Sequence, residues 1–416
     1  MATNMTPRMP RVKQPTSPEE ILPALRTVVS RKAVRGMNES LGIKPGENVL
    51  LITDSTINPI MPEAFQEAIR DAGAHATVIN LEGTPLLDDS IELVDGPNTT
   101  NWYPDWVWKA VESSDVVVAL AFFKFPHTPN LPWGRNDTYS ANWRFKGRAL
   151  QWELPPDMLL SPSLTYPLEV WDAIDETLYN TIAFAKKIDI KEDNGTHLSW
   201  ELTKEDWDNI EGRGDEDDPG RPKLPYVPGH LFVPFPKSLK FEGEVVINSL
   251  TFGGPVPPTK LTVDGRRVTQ VDGESKFANA LRATFEKYKD QTWQGLPGPG
   301  ANWISTFAAC TNPKFRRSPN WASMRGSAKV HSWCLGHRRS GFLHASVGAA
   351  LENQNSKLIR HFDMAFPNLY VDDRPAIEDG HLLALDDPKV RTIAEKYGDP
   401  DEILREDWIP DRYAAI

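Results

Sequence analysis

From residue 48 the chain alternates short apolar runs with stretches of helical spacing. Residues 48–53, Asn-Val-Leu-Leu-Ile-Thr, are almost wholly apolar and read as a buried strand. Residues 62–72 carry Phe65, Ala68, Ile69 and Ala72 at helical spacing, Gly73 follows, and residues 76–80 form a second strand. That is a βαβ unit, so a parallel sheet is expected. The run 115–123 is apolar on both faces and reads as a further buried parallel strand, and a helix is expected over 168–187 behind Pro167. Beyond an acidic, proline-punctuated stretch at 211–228 the pattern changes to short strands: 244–251, 260–263 turning at Asp264-Gly265 into 267–270, then 329–336, 341–348 and 359–366. One helix, 274–289, interrupts them.

These periods predict an α/β N-terminal domain with a parallel sheet over 19–210 and a linker over 211–228. An α+β, largely antiparallel C-terminal domain, the metal-binding one, follows over 229–416. Residues 1–18, rich in Pro, Thr and basic residues without periodicity, read as a flexible arm.

Composition narrows the function classes. Among 416 residues, 46 Lys+Arg stand against 57 Asp+Glu, a net charge of −11, so a nucleic-acid partner is not expected. No apolar run approaches the roughly 20 residues of a membrane helix, and the first residues lack an apolar signal core. No membrane partner and a cytoplasmic location are therefore expected. Two cysteines, Cys310 and Cys334, are too few for a disulfide framework and read as free thiols. The 36 Pro and 14 Trp favour a loop-rich enzyme with aromatic-lined cavities. The dinucleotide fingerprint, phosphate loop, serine elbow and HExxH motif are all missing from the sequence, which leaves nucleotide and serine-hydrolase readings without support.

Candidate chemistry lies in the histidines. Five of the nine fall within 331–381. If 359–366 is a strand, His361 and Asp363 project from one face, two of the three ligands of a 2-His-1-carboxylate metal site. The third ligand must come from a neighbouring strand, and His331 and His344 both qualify. An HxD pair also arises by chance, and a strand histidine is commonly just hydrogen-bonded, so the clustering of His-bearing strands carries the argument. His127 follows the apolar run that ends at Phe123, where ligands of open α/β sheets gather; it reads as a general base or substrate anchor, against a turn histidine between two prolines. His337 and His381 read as turn residues. Arg316, Arg317, Arg338 and Arg339 read as solvated or salt-bridged rather than as an anion site.

The order of motifs resembles the aminopeptidase T (leucyl aminopeptidase) superfamily, which also contains 2,5-dihydroxypyridine 5,6-dioxygenase. The resemblance rests on Gly42-Ile-Lys-Pro-Gly-Glu-Asn-Val-Leu-Leu-Ile-Thr53 with its helix and Gly73-Ala74, and on Gly229 to Pro236 before Phe241 to Val246. It continues with Val330 to Gly336 and with His361-Phe-Asp363 ahead of Leu369 to Asp373 and Ile377 to Gly380. It implies a metal site. The peptidases hold two ions with two glutamates, a His and a terminal His and Asp; here His230 and His331 stand at the glutamate positions, while His344, His361 and Asp363 match the rest. The dioxygenase pattern of two His and one Asp is met by His331, His361 and Asp363, with His127 in the place of a loop histidine.

The combined expectation is a mononuclear non-haem Fe(II) ring-cleaving dioxygenase acting on a hydroxylated aromatic or pyridine-type compound with O₂. Its ligands are His331, His361 and Asp363, with His127 as base and His344 and His230 as outer or alternative ligands. Trp303, Trp333 and Phe362 are expected as walls of the substrate pocket or as plain core. A homo-oligomer is expected. The alternatives are a hydrolase or aminopeptidase-like enzyme with one or two ions of Zn, Co or Mn, and a non-catalytic binding protein on the same fold.

Overall fold

In a computed structural model, the protein is described at residues 6–31, 41–81, 105–120, 147–152, 154–208, 226–227, 229–251, 254–293, 296–348 and 360–412. The apolar runs of the first half become strands β1 (Asn48–Asp54), β2 (His75–Leu81), β3 (Val116–Ala119) and β4 (Arg148–Gln151). They form one parallel sheet in the order β2-β1-β3-β4. Leu50, Ile52, Val117 and Ala119 pack on one side with Val107, Trp108 and Val111 of the Asp105–Glu112 helix. Val49, Leu51, Val116 and Val118 face the other side, with Phe65, Ala68 and Ile69 of the Ile60–Asp71 helix. Both faces are covered, which is why these runs are apolar throughout rather than alternating.

The second sheet contains β5 (Lys187–Glu192), β6 (Thr196–Glu201), β7 (Tyr226–Val227), β8 (His230–Phe232), β9 (Phe241–Leu250), β10 (Gly254–Asp264), β11 (Arg267–Asp272), β12 (Ile304–Cys310), β13 (Leu343–Val347), β14 (Arg360–Met364), β15 (Asn368–Val371), β16 (Arg374–Glu378) and β17 (His381–Leu382). Its pairings are antiparallel, in the order β17-β16-β15-β5-β6-β9-β14-β13-β12-β8-β7, with β10 and β11 extending from β9. The α/β and antiparallel halves expected from the sequence are both present.

Three local expectations differ. The helix expected to run to 187 spans Leu168–Ile182, because Phe184 turns to φ 63 and the chain leaves as β5 of the large sheet. Residues 329–336 are not a strand: Gly326–Cys334 is a helix followed by a 3-10 turn at Leu335–Arg338. Gly326, Ser332, Trp333 and Gly336 are buried, and Ser332 Oγ donates to Ala328 O at 2.8 Å, one helical turn back. Eight residues are too few for alternation to be told from helical spacing. The arm is tied down at Arg8, whose backbone exchanges two hydrogen bonds of 2.9 Å with Ile409 and whose guanidinium reaches Glu406 O at 3.0 Å.

The four arginines are buried rather than solvated, and Arg316 and Arg339 are salt-bridged. Arg316 is paired with buried Asp157 at 2.8 Å. The Arg317 guanidinium lies 3.2 Å from the Trp333 ring centroid, and Arg338 stacks toward Phe315 at 5.7 Å. Arg339 donates to Trp408 O and Gly380 O, both at 2.7 Å, and sits 3.3 Å from Glu406. Net acidity places none of them, and the partners of Arg316 and Arg339 come from residues 157, 380, 406 and 408, far along the chain.

Glu406 also receives Ser340 Oγ at 2.8 Å and His381 Nδ1 at 3.1 Å, while His381 Nε2 meets Asp386 at 2.8 Å. Burial alone would lower the His381 pKa, but the Asp386 and Glu406 carboxylates outweigh it and push it up to about 10. A raised folded value stabilises the fold fully below the ordinary histidine range and loses that contribution as pH climbs through about 10. The stability gap between wild type and His381→Gln, followed by urea denaturation, should be full near pH 6 and close as pH rises toward 10.5. A gap that widens with pH would contradict this ion cluster.

Candidate functional site

Strict alternation on four adjacent strands separates a polar face from the core. On β14, Phe362 and Met364 enter the main core, and on β13 Leu343, Ala345 and Val347 do the same; Phe307 and Ala309 of β12 and Leu231 of β8 join them. The intervening positions carry the polar groups. His344 lies opposite Asp363, and Ser346 opposite His361; Ala308 continues the row, opposite both His344 and Phe232, while His230 lies opposite Cys310. His230, His344 and Asp363 are buried and His361 is half-buried, so the face opens beside His361.

The imidazoles form a row. The His344 and His361 rings are stacked with centroids 5.1 Å apart and 11° between planes, and His230 stacks on His344 at 5.3 Å and 20°. Asp363 Oδ1 lies 2.9 Å from His344 Nδ1 and accepts the Thr251 hydroxyl at 2.9 Å. A carboxylate only accepts, so His344 Nδ1 carries a proton toward Asp363, and in the neutral ring the lone pair is then on Nε2. That Nε2 faces His361 Nδ1 at 3.0 Å.

The donors fit a metal ion in part. Imidazole nitrogens with one carboxylate suit Fe(II), Zn, Co or Mn. Two nitrogens bound at right angles to one octahedral ion at roughly 2.1 Å would lie roughly 3.0 Å apart, the separation seen between His344 and His361. Asp363, on the far nitrogen of His344, makes the carboxylate–imidazole contact that commonly orients a metal-binding histidine. Among the described residues no three His, Cys, Asp or Glu side chains converge as a complete set.

The structure brings together His344, His361, Asp363 and His230. His331 lies on the Gly326–Cys334 helix rather than on a strand, and its side chain is outside the described residues. That helix is anchored beside the site, because Trp333 Nε1 donates to Leu250 O at 2.7 Å, one residue before Thr251. His127 lies outside the described residues. Phe362, expected as a pocket wall, packs in the main core because it alternates with His361 and Asp363. Trp303 is buried at the start of β12, with Arg267 5.1 Å from its ring. Thr251 escapes sequence reading: a threonine ending an apolar strand carries no chemical signal until its neighbours are known.

The architecture is thus a parallel α/β unit joined to a large antiparallel sheet whose middle strands present a histidine-rich face. The chain shares this fold with 2,5-dihydroxypyridine dioxygenase from Pseudomonas putida KT2440, at a TM-score of 0.58 and 16% identity over 88% of this chain and 98% of that one. Wild-type AmpT from Thermus thermophilus aligns over 88% of this chain and 99% of its own, with 13% identity and a TM-score of 0.47. No family model matches the sequence, and no curated protein matches it. The superfamily resemblance of the motifs holds at the level of the fold. Among the described residues no helix is long and apolar enough to cross a membrane.

Proposed function

We propose that the protein is a mononuclear non-haem Fe(II) dioxygenase that opens the ring of a hydroxylated aromatic or pyridine-type compound. The supporting observation is the polar face of β8, β12, β13 and β14. It carries three stacked imidazoles, and Asp363 is the single carboxylate among its described residues. Two ions held close together normally share bridging carboxylates, so a face this poor in them favours one ion. The fold shared with a dihydroxypyridine dioxygenase points the same way.

In this reading His331, His361 and Asp363 hold the ion, Asp363 through the oxygen other than Oδ1, while Oδ1 stays with Thr251 and with His344 Nδ1, and His344 presents Nε2 beside His361. When bound, Fe(II) supplies the path for electrons from a chelated substrate to O₂. His127 removes the proton of a ring hydroxyl, a contribution of roughly 10²–10⁴ in rate. Trp333 walls the site from the helix side. The half-buried edge at His361 is where a flat ring enters, with the buried imidazole row behind it.

Metal analysis after anaerobic purification, followed by oxygen-electrode assays with hydroxylated pyridines, catechols and hydroquinones, tests the proposal. One iron per chain, and about one O₂ consumed per ring opened without external reductant, are expected. Two ions per chain with release of amino acids from dipeptides would replace it with the hydrolase reading. The stacking of His230 on His344 favours that alternative in one respect, since it extends the row of nitrogens past the first pair.

A further inference from the structure

We propose that Thr251 is a positioning residue of the ion site, whose hydroxyl fixes which nitrogen of His344 faces the ion. The inference rests on the reading above in one respect, that an ion binds beside His344 and His361. Thr251 is completely buried at the end of β9 and touches three members of the site. Its backbone N–H donates to His361 O at 3.0 Å. Its hydroxyl donates to Asp363 Oδ1 at 2.9 Å and lies 3.2 Å from His344 Nδ1.

For a neutral His344 ring the geometry allows one proton arrangement. The Thr251 proton goes to Asp363, so the hydroxyl lone pairs are left toward His344 Nδ1, which is also 2.9 Å from Asp363 Oδ1. Two acceptors therefore converge on one ring nitrogen. That nitrogen must carry the proton, and the lone pair is directed to Nε2. Without the hydroxyl, the Asp363 carboxylate loses a donor and is freer to rotate, and His344 Nδ1 loses one of the two acceptors that converge on it. Thr251 cannot drift from its place, because the preceding carbonyl, Leu250 O, accepts the Trp333 indole N–H and its own N–H is tied to β14.

The test compares Thr251→Ser with Thr251→Ala. Both remove the methyl group and only Ser keeps the hydroxyl, so their difference reads the hydroxyl alone. Thr251→Val, which keeps the shape, serves in the place of Ala should that variant not fold. Co(II) and anaerobic Fe(II) are titrated into metal-free full-length protein against a competing chelator, with the visible absorption of Co(II) reporting the ligand field and circular dichroism reporting the fold. Thr251→Ser should bind within a few-fold of wild type and keep its Co(II) spectrum. Thr251→Ala or Thr251→Val should bind roughly 10–100-fold more weakly with an altered spectrum. Equal affinity of the Ser and Ala variants, both folded, would overturn the role of Thr251 and leave the metalloenzyme reading in place. Absence of any Co(II) or Fe(II) binding by wild type would overturn both.

Discussion

His361→Ala should lose most of its bound iron while the protein stays folded. The residue is half-buried, on the open side of a face whose opposite side is packed core, so truncating it removes a nitrogen without opening a cavity among the apolar groups. A three-ligand facial site has no spare donor, so the loss of one is not made good by the others. His344 Nε2 remains, 3.0 Å from where His361 Nδ1 was, but β13 holds it in register opposite Asp363, so it does not move into the vacated position. The measurement is iron per chain after anaerobic purification, with oxygen uptake falling in proportion. Asp363→Ala should behave alike and also release His344 from its fixed tautomer. Full iron retention by His361→Ala would remove this residue from the ligand set.

The second large effect is on stability and lies away from the site. Arg316 Nη1 and Asp157 Oδ2 are 2.8 Å apart, Arg316 Nη2 reaches Asp157 O at 3.0 Å, and both residues are buried. Asp157→Ala leaves the guanidinium buried without its counter-charge. Removing one partner of such a pair costs about 3–5 kcal/mol, most of it the penalty on the stranded charge. A comparison pair is Lys389–Glu176, at 3.3 Å on the surface, where Glu176→Ala should cost about 0–1 kcal/mol. Urea denaturation of the two variants should show a large drop in midpoint for the first and little for the second. Similar midpoints would mean that Arg316 finds another carboxylate once Asp157 is gone.

The parts legible in the sequence are those with local causes. The parallel strands of the N-terminal sheet were readable because burial on both faces leaves unbroken apolar runs, as in residues 48–53. Ser275 at the start of the second-half helix accepts the Ala278 N–H at 3.0 Å, a cap that agrees with the helix expected there. His361 and Asp363 were readable as a same-face pair because two residues span one strand period. Their partners were not. His230 and His344 meet only because β12 lies between β8 and β13, an order unrelated to chain order, and Thr251 reaches Asp363 across 112 residues. The Gly326–Cys334 helix escapes sequence reading because the eight residues 329–336, of mixed polarity, fit two periods equally. The buried arginines were missed because a charge reads as surface until its partner is placed.

The spread of the site along the chain has a consequence for how the protein comes into being. His230, Thr251, His344 and Asp363 converge only when β8, β9, β12, β13 and β14 are all in register, so a local piece of the chain that carries His344, His361 and Asp363 lacks the contacts that fix them. Contacts of long sequence separation form slowly, because loop closure precedes the reward. Metal capture should therefore be a late event in refolding, lagging the recovery of helix and of the local β10–β11 hairpin. An ion that binds this junction would act afterwards as a staple between the Gly326–Cys334 helix and β14.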